Sequence, residues 1–169
     1  ASQELEVPNN PAFAWLRGDP GTVRANKPLG DIYHSNPVIV GAPTVSLPDQ
    51  SYAAFRSLVM PATGARTNPV TVGTRETMLY VGSNDGILHG FNADSGEEVW
   101  GFVPPTLLPT MASRVPATRL YGVDGTTVSR DVVFERTIGT PTVASDWHSV
   151  VVVGLRDGGG AFVALEVTD

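Results

Sequence analysis

The sequence predicts an all-β protein of short antiparallel strands with brief helices in the connections. Three observations carry that expectation. The run 79–100, LYVGSNDGILHGFNADSGEEVW, alternates apolar stretches with clusters of Asn, Asp and Gly, the pattern of strands broken by tight turns. The 169 residues include 18 Gly and 14 Pro, which favours many strands and turns over long helices. There is no cysteine, so neither a disulfide framework nor thiol chemistry is available, and cysteine usage does not fix the compartment.

Taken in order, Asn10-Pro11 reads as a helix start, because Asn caps free backbone N–H groups and Pro suits the first helical position. The helix carries Phe13 and Leu16 toward a core and ends at Gly18. Residues 36–41, NPVIVG, form the first strand, and their apolar run places it centrally in a sheet. Residues 42–77 lack a strong period and contain Pro43, Pro48, Pro61 and Pro69. They read as a long surface insertion with one helical turn over 53–59.

Strands follow at 79–83, 87–92 and 97–103, joined by the turns Asn84-Asp85-Gly86 and Asp94-Ser95-Gly96. In each turn Gly supplies a positive φ, and an Asn or Asp side chain bonds its own turn. Trp100 and Phe102, two apart, share a face. A short helix is expected within 107–115, then strands at 121–123, 131–135, 142–145, 149–155 and 161–167.

Strands 79–103 read as one blade of a β-propeller, and the chain holds about two to three blades. A closed propeller needs roughly four to eight. Residues 1–169 are therefore expected to be one domain, the N-terminal part of a larger propeller. Its open strand edges invite self-association.

The formal net charge of −6 with no basic cluster argues against nucleic acid or an anionic membrane as the main partner. No apolar run approaches the roughly 20 residues that span a bilayer. The first residues, ASQELEV, lack a basic start followed by an apolar stretch, so an export signal is expected upstream.

Candidate chemistry is sparse. Asp85 and Asp94 offer oxygens to calcium, but the spacing does not match the helix-loop-helix site, and a turn role is preferred. His34, His89 and His148 lack metal-ligand spacing and read as ordinary strand residues. No Gly-x-Ser-x-Gly elbow exists. Asp157-Gly158-Gly159-Gly160 precedes a strand, so it reads as a hairpin turn and not a phosphate cradle. Catalytic, cofactor and metal residues are therefore expected to be absent. Arg17-Gly18-Asp19 is an integrin-type tripeptide followed by Pro20-Gly21, which favours an exposed turn. Its alternative is a structural Arg and a helix-ending Gly. Asp31 and Asp124-Gly125 are expected to bond turn amides.

The pattern of strand, Asp-Gly, strand, Asn/Asp-x-x-x-Gly-Glu and Trp within 79–100 is similar to the repeat of quinoprotein-like propellers. Its company is more specific: Trp15 to Asp19, then LGDIYHSNP (29–37), GSNDGILHGFNADSGEEVWGFVPP (82–105), YGVDGT (121–126) with Asp131-Val132, and WHSVVVVGLRDGGGAFVALEVTD (147–169). This succession resembles the C-terminal propeller of PilY1-like proteins, the type IV pilus tip and biogenesis factors of Gram-negative bacteria. The resemblance implies a non-enzymatic protein of the cell surface, outer membrane or periplasm. It implies minor pilins and the pilus tip as partners, roles in pilus extension and twitching motility, and adhesion to surfaces or to a host integrin. Calcium belongs elsewhere in the parent protein on this view, since no Asp-x-Asp/Asn-x-x-Gly-x-x-Asp loop occurs here. A quinone-dependent dehydrogenase and a scaffold of an outer-membrane assembly machine are the alternatives.

Overall fold

The computed structural model describes residues 11–25, 27, 29–63, 67–110, 121–134 and 136–168. Helix α1 spans Pro11–Arg17 and stops where Gly18 adopts φ +67°. Its predicted cap Asn10 lies outside the described residues. Ala12 and Leu16 are buried against Ile87, with Phe13 and Trp15 packed alongside.

Strands β1 (Val38–Val40), β4 (Met78–Gly82), β5 (Leu88–Asn92) and β6 (Glu98–Phe102) make one antiparallel sheet in the order β1-β4-β5-β6. Strands β7 (Thr127–Val133), β8 (Trp147–Gly154) and β9 (Phe162–Glu166) make a second, in chain order. Between β1 and β4 the chain folds helix α2 (Gln50–Arg56) and a small ladder of β2 (Val59–Met60) with β3 (Val70–Thr71). The protein is thus mostly β, with antiparallel sheets and few short helices. Two successive sheets of this kind are consistent with part of a propeller.

One apolar cluster joins the two large sheets: Val40, Tyr80 and Leu88 from the first meet Val151 and Val153 from the second and Leu155 just beyond β8. Trp100 and Phe102 both pack on it, as their two-residue spacing predicts. The turns at Gly86 (φ +95°) and Gly96 (φ +74°) use the left-handed backbone that glycine tolerates.

Several expectations need correction. Residues 38–40 form a strand at the end of the sheet order, not a central one. Its apolar run is divided between faces, with Val40 buried and Ile39 64% exposed. The helix expected at 53–59 begins earlier, because Asp49 accepts the Ser51 N–H at 2.8 Å and caps Gln50–Arg56, while Val59 starts β2. Residues 121–123 are not a strand. Their backbone leaves to cover the end of β4, where Val123 N–H donates to Ser83 O at 3.0 Å. Residues 142–145 run into a 3₁₀ turn, Ala144–Asp146, and β7 begins at Thr127, four residues earlier than expected. Of the helix expected within 107–115, the described part is a 3₁₀ turn at Leu108–Thr110.

Residues 42–77 have a small core of their own. Tyr52, Phe55 and Val72 are buried together, and Trp147 of β8 packs on them. Arg75 then ties the region to the sheets: its guanidinium donates to Gly41 O at 2.6 and 2.8 Å, Ser149 Oγ at 2.8 Å and Thr168 O at 2.9 Å. Ser149 Oγ in turn donates to Asp131, which also accepts from the Tyr52 hydroxyl at 2.6 Å.

Candidate functional site

The polar residues of the 82–98 hairpin converge. The β4–β5 turn places Ser83, Asp85 and His89 together, and β6 brings in Glu98. Asp85 is 5% exposed, yet its two oxygens are fully engaged. One accepts the Ile87 N–H at 3.1 Å and the Ser83 hydroxyl; the other accepts Arg24 at 2.5 Å and the Gly30 N–H at 2.9 Å. Arg24 also lies 4.7 Å over the Trp15 ring, so the segment that follows α1 is fastened to this turn. A buried charge is tolerated when it is paired and hydrogen-bonded in this way.

His89 lies between two acids. Its Nε2 is 2.9 Å from Ser83 Oγ and its Nδ1 is 2.6 Å from Glu98 Oε1. That connectivity matches a serine-hydrolase relay, but Ser83 and His89 are each 1% exposed. Two clefts of about 490 and 660 Å³ open elsewhere, and neither is lined by these two residues. A nucleophile sealed from solvent meets no substrate. The arrangement holds the hairpin together.

Burial disfavours the His89 imidazolium, but the hydrogen bonds and charges of Asp85 and Glu98 outweigh it and hold the pKa above the usual 6.5. Burial likewise disfavours the Asp85 carboxylate. His89, Ser83 and Arg24 outweigh that effect and hold its pKa below 3.8. For His89 the folded value exceeds the unfolded one, so its stabilisation is complete below about pH 6.5 and fades as pH rises through the folded value. For Asp85 the sign reverses, and stabilisation present above about pH 3.8 is lost on acidification. Urea unfolding is therefore expected to give a lower midpoint at pH 8.5 than at pH 5.5, and a smaller decline in His89→Asn. Equal declines in both proteins would remove His89 as the cause.

The other predicted site residues are distributed. Asp31 Oδ2 accepts Asn84 Nδ2 at 2.9 Å, while Asn84 N–H donates to Asp31 O at 2.9 Å. In the 92–97 turn the side-chain acceptors are Asn92, whose Oδ1 takes the N–H groups of Asp94 and Ser95 at 3.0 Å each, and Ser95, whose hydroxyl takes the Glu97 N–H at 3.2 Å. Gly125 N–H donates to Gly154 O at 2.9 Å. Asp124, its side chain fully buried, accepts the His34 N–H at 3.3 Å and lies 2.6 Å from His34 Nδ1. Neither this pairing nor the Ser83–His89–Glu98 relay is among the sequence expectations. The first joins residues 90 apart, while the relay could have been suspected from the short hairpin.

Arg17-Gly18-Asp19 sits at the end of α1, on the surface. Arg17 donates to both Asp19 oxygens, at 2.6 and 3.2 Å, and this contact holds the Asp19 carboxyl below its usual range. The tripeptide is closed on itself.

No family model and no solved structure matches the chain. Curated sequences do. The chain is 33% identical over 165 residues to a type IV pilus biogenesis factor PilY1 homolog of Xylella fastidiosa, covering 92% of the chain and 12% of that relative. It is 34% identical over 145 residues to the type IV pilus biogenesis factor PilY1 of Pseudomonas aeruginosa strain UCBPP-PA14, covering 83% of the chain and 11% of the relative. Against the strain PAK protein the figures are 32% over 167 residues, 92% and 13%. The chain thus spans a small part of the length of the relatives it matches.

Proposed function

Because the chain belongs to the PilY1 family of type IV pilus biogenesis factors, we propose that it is a structural, non-enzymatic part of an exported pilus biogenesis protein. In that role it supports assembly and extension of the pilus with minor pilins at the tip, and through the pilus twitching motility. The observation that carries the reading is the match to PilY1 relatives over up to 92% of the chain. The fate of the quinoprotein-like repeat supports it. Ser83, Asn84, Asp85 and His89 are all buried and hydrogen-bonded within the protein, which leaves little of that motif to hold a quinone or act on a substrate. Among the described residues no helix is long and apolar enough to cross a membrane.

Attachment is the second part of the proposal. Arg17-Gly18-Asp19 is presented on the surface by a helix anchored through Leu16, and a receptor of the integrin class would have to open the Arg17–Asp19 pair. An exposed pair of this kind is held weakly, so a receptor can compete with it.

One set of strains tests both parts. Removing this segment from the parent gene should abolish surface pili and twitching, with recovery when the full gene is restored. Asp19→Glu should leave pili and twitching normal while reducing attachment to integrin-bearing cells. Normal pili in the deletion strain would refute the biogenesis role. Unchanged attachment of Asp19→Glu would refute the receptor role.

A further inference from the structure

We propose that His34, Asp124 and Asp157 form a binding site for a divalent transition-metal ion of the zinc type. One ligand atom from each of the three residues lies within 4.8 Å of the others. They come from three separate segments, ahead of β1, ahead of β7 and in the β8–β9 hairpin. The expectation that the histidines are ordinary strand residues fails for His34, which lies in the loop before β1. Spacing along the chain could not show this convergence.

The segments are fixed before any ion arrives. Gly125 is hydrogen-bonded to Gly154 at the end of β8, and the hairpin turn packs so closely on the 121–125 segment that a Cβ on Gly158 would lie 1.8 Å from Gly122 O. Asp124 is rigid, since its carboxylate is fully buried and engaged by His34. Asp157 differs. It is exposed and has no hydrogen-bond or ion-pair partner among the described residues. Two carboxylate charges therefore converge on one imidazole. A cation held between the three groups would offset both.

The donor set decides the class of ion. One imidazole nitrogen and two carboxylate oxygens suit zinc and its transition-metal neighbours, whereas calcium and magnesium favour all-oxygen shells. Ligands about 2.0–2.1 Å from a tetrahedral ion stand roughly 3.3 Å apart. The present separations, from 2.6 Å for the His34–Asp124 pair up to the 4.8 Å limit, bracket that value. Binding would replace the His34–Asp124 contact with bonds to the ion and draw Asp157 inward. The rings of Tyr33 and Tyr121 flank His34, with centroids 4.2 and 6.3 Å from its own. The bound ion would brace the loop before β1 against the second sheet.

The test is a titration of the chelator-stripped chain with ZnCl2, followed by calorimetry and thermal unfolding, with CaCl2 and MgCl2 in parallel. Stoichiometric zinc binding and a rise in Tm are expected, with smaller effects of calcium and magnesium. Asp157→Asn should weaken zinc on the order of tenfold or more without lowering the metal-free Tm. Co2+ should give ligand-field bands in the native chain that Asp157→Asn alters. Absence of stoichiometric zinc binding, equal zinc affinity in Asp157→Asn, or an equal response to calcium would each overturn the proposal.

Discussion

Asp85→Ala is expected to destabilise the protein by about 3–5 kcal/mol, the usual cost of removing one partner from a buried ion pair. The carboxylate takes four donors from three directions: the Ser83 hydroxyl and Ile87 N–H within its own turn, Arg24 from the segment after α1, and the Gly30 N–H. Without it, the Arg24 guanidinium, whose side chain is 7% exposed, loses its carboxylate. Two backbone N–H groups lose their acceptor as well, and an unmet buried donor costs about 1–3 kcal/mol. Asp85→Asn keeps the shape and part of the hydrogen bonding, so it should fall between the native protein and the alanine variant. Urea unfolding checks the order. An alanine variant within about 1 kcal/mol of the native protein would mean that Asp85 is not the support described here.

Gly158→Ala is expected to be nearly as severe, at about 3 kcal/mol or somewhat more, because the added Cβ would lie 1.8 Å from the Gly122 carbonyl oxygen. Backbone atoms, unlike the end of a flexible side chain, yield only if the loop shifts, and overpacking of this kind costs at the upper end of the usual range. The shift would separate the β8–β9 hairpin from the 121–125 segment, which also covers Gly82, where a Cβ would lie 2.3 Å from Val123 O. A loss of that size lowers Tm by about 6–12 °C in a domain of this length. Gly160 is the matched control, since a Cβ there meets nothing within 4 Å. Gly160→Ala should melt within about 2 °C of the native protein. Equal melting of the two variants would contradict the close packing.

The hairpin from Met78 to Phe102 was legible in the sequence because its determinants are local. Apolar runs of strand length meet turns whose Gly86 and Gly96 carry the positive φ, and a strand's two-residue period puts Trp100 and Phe102 on one face. The end of α1 at Gly18 was legible for the same reason. What the sequence hid depends on distant partners. The start of β7 is hidden in the sequence because Thr127, Ser129 and Asp131 line one face of the strand, and Asp131 is satisfied by Tyr52 and Ser149. Residues 42–77 looked shapeless because Tyr52, Phe55 and Val72 complete their core only with Trp147. Arg75 is a lone cation in a polar stretch until Gly41, Ser149 and Thr168 surround it. His34 and Asp124 meet across 90 residues, beyond the reach of any spacing rule.

The most direct test of the proposed role is a count of surface pili on cells whose full-length parent protein carries Asp85→Ala together with Gly158→Ala, beside cells carrying Gly160→Ala. Parent protein levels would be followed by immunoblot and the state of this segment by limited proteolysis. The double variant should expose this segment to protease and lose pili while the parent is still made, and Gly160→Ala cells should be fully piliated. Normal pili on cells whose segment is demonstrably unfolded would contradict the proposed role.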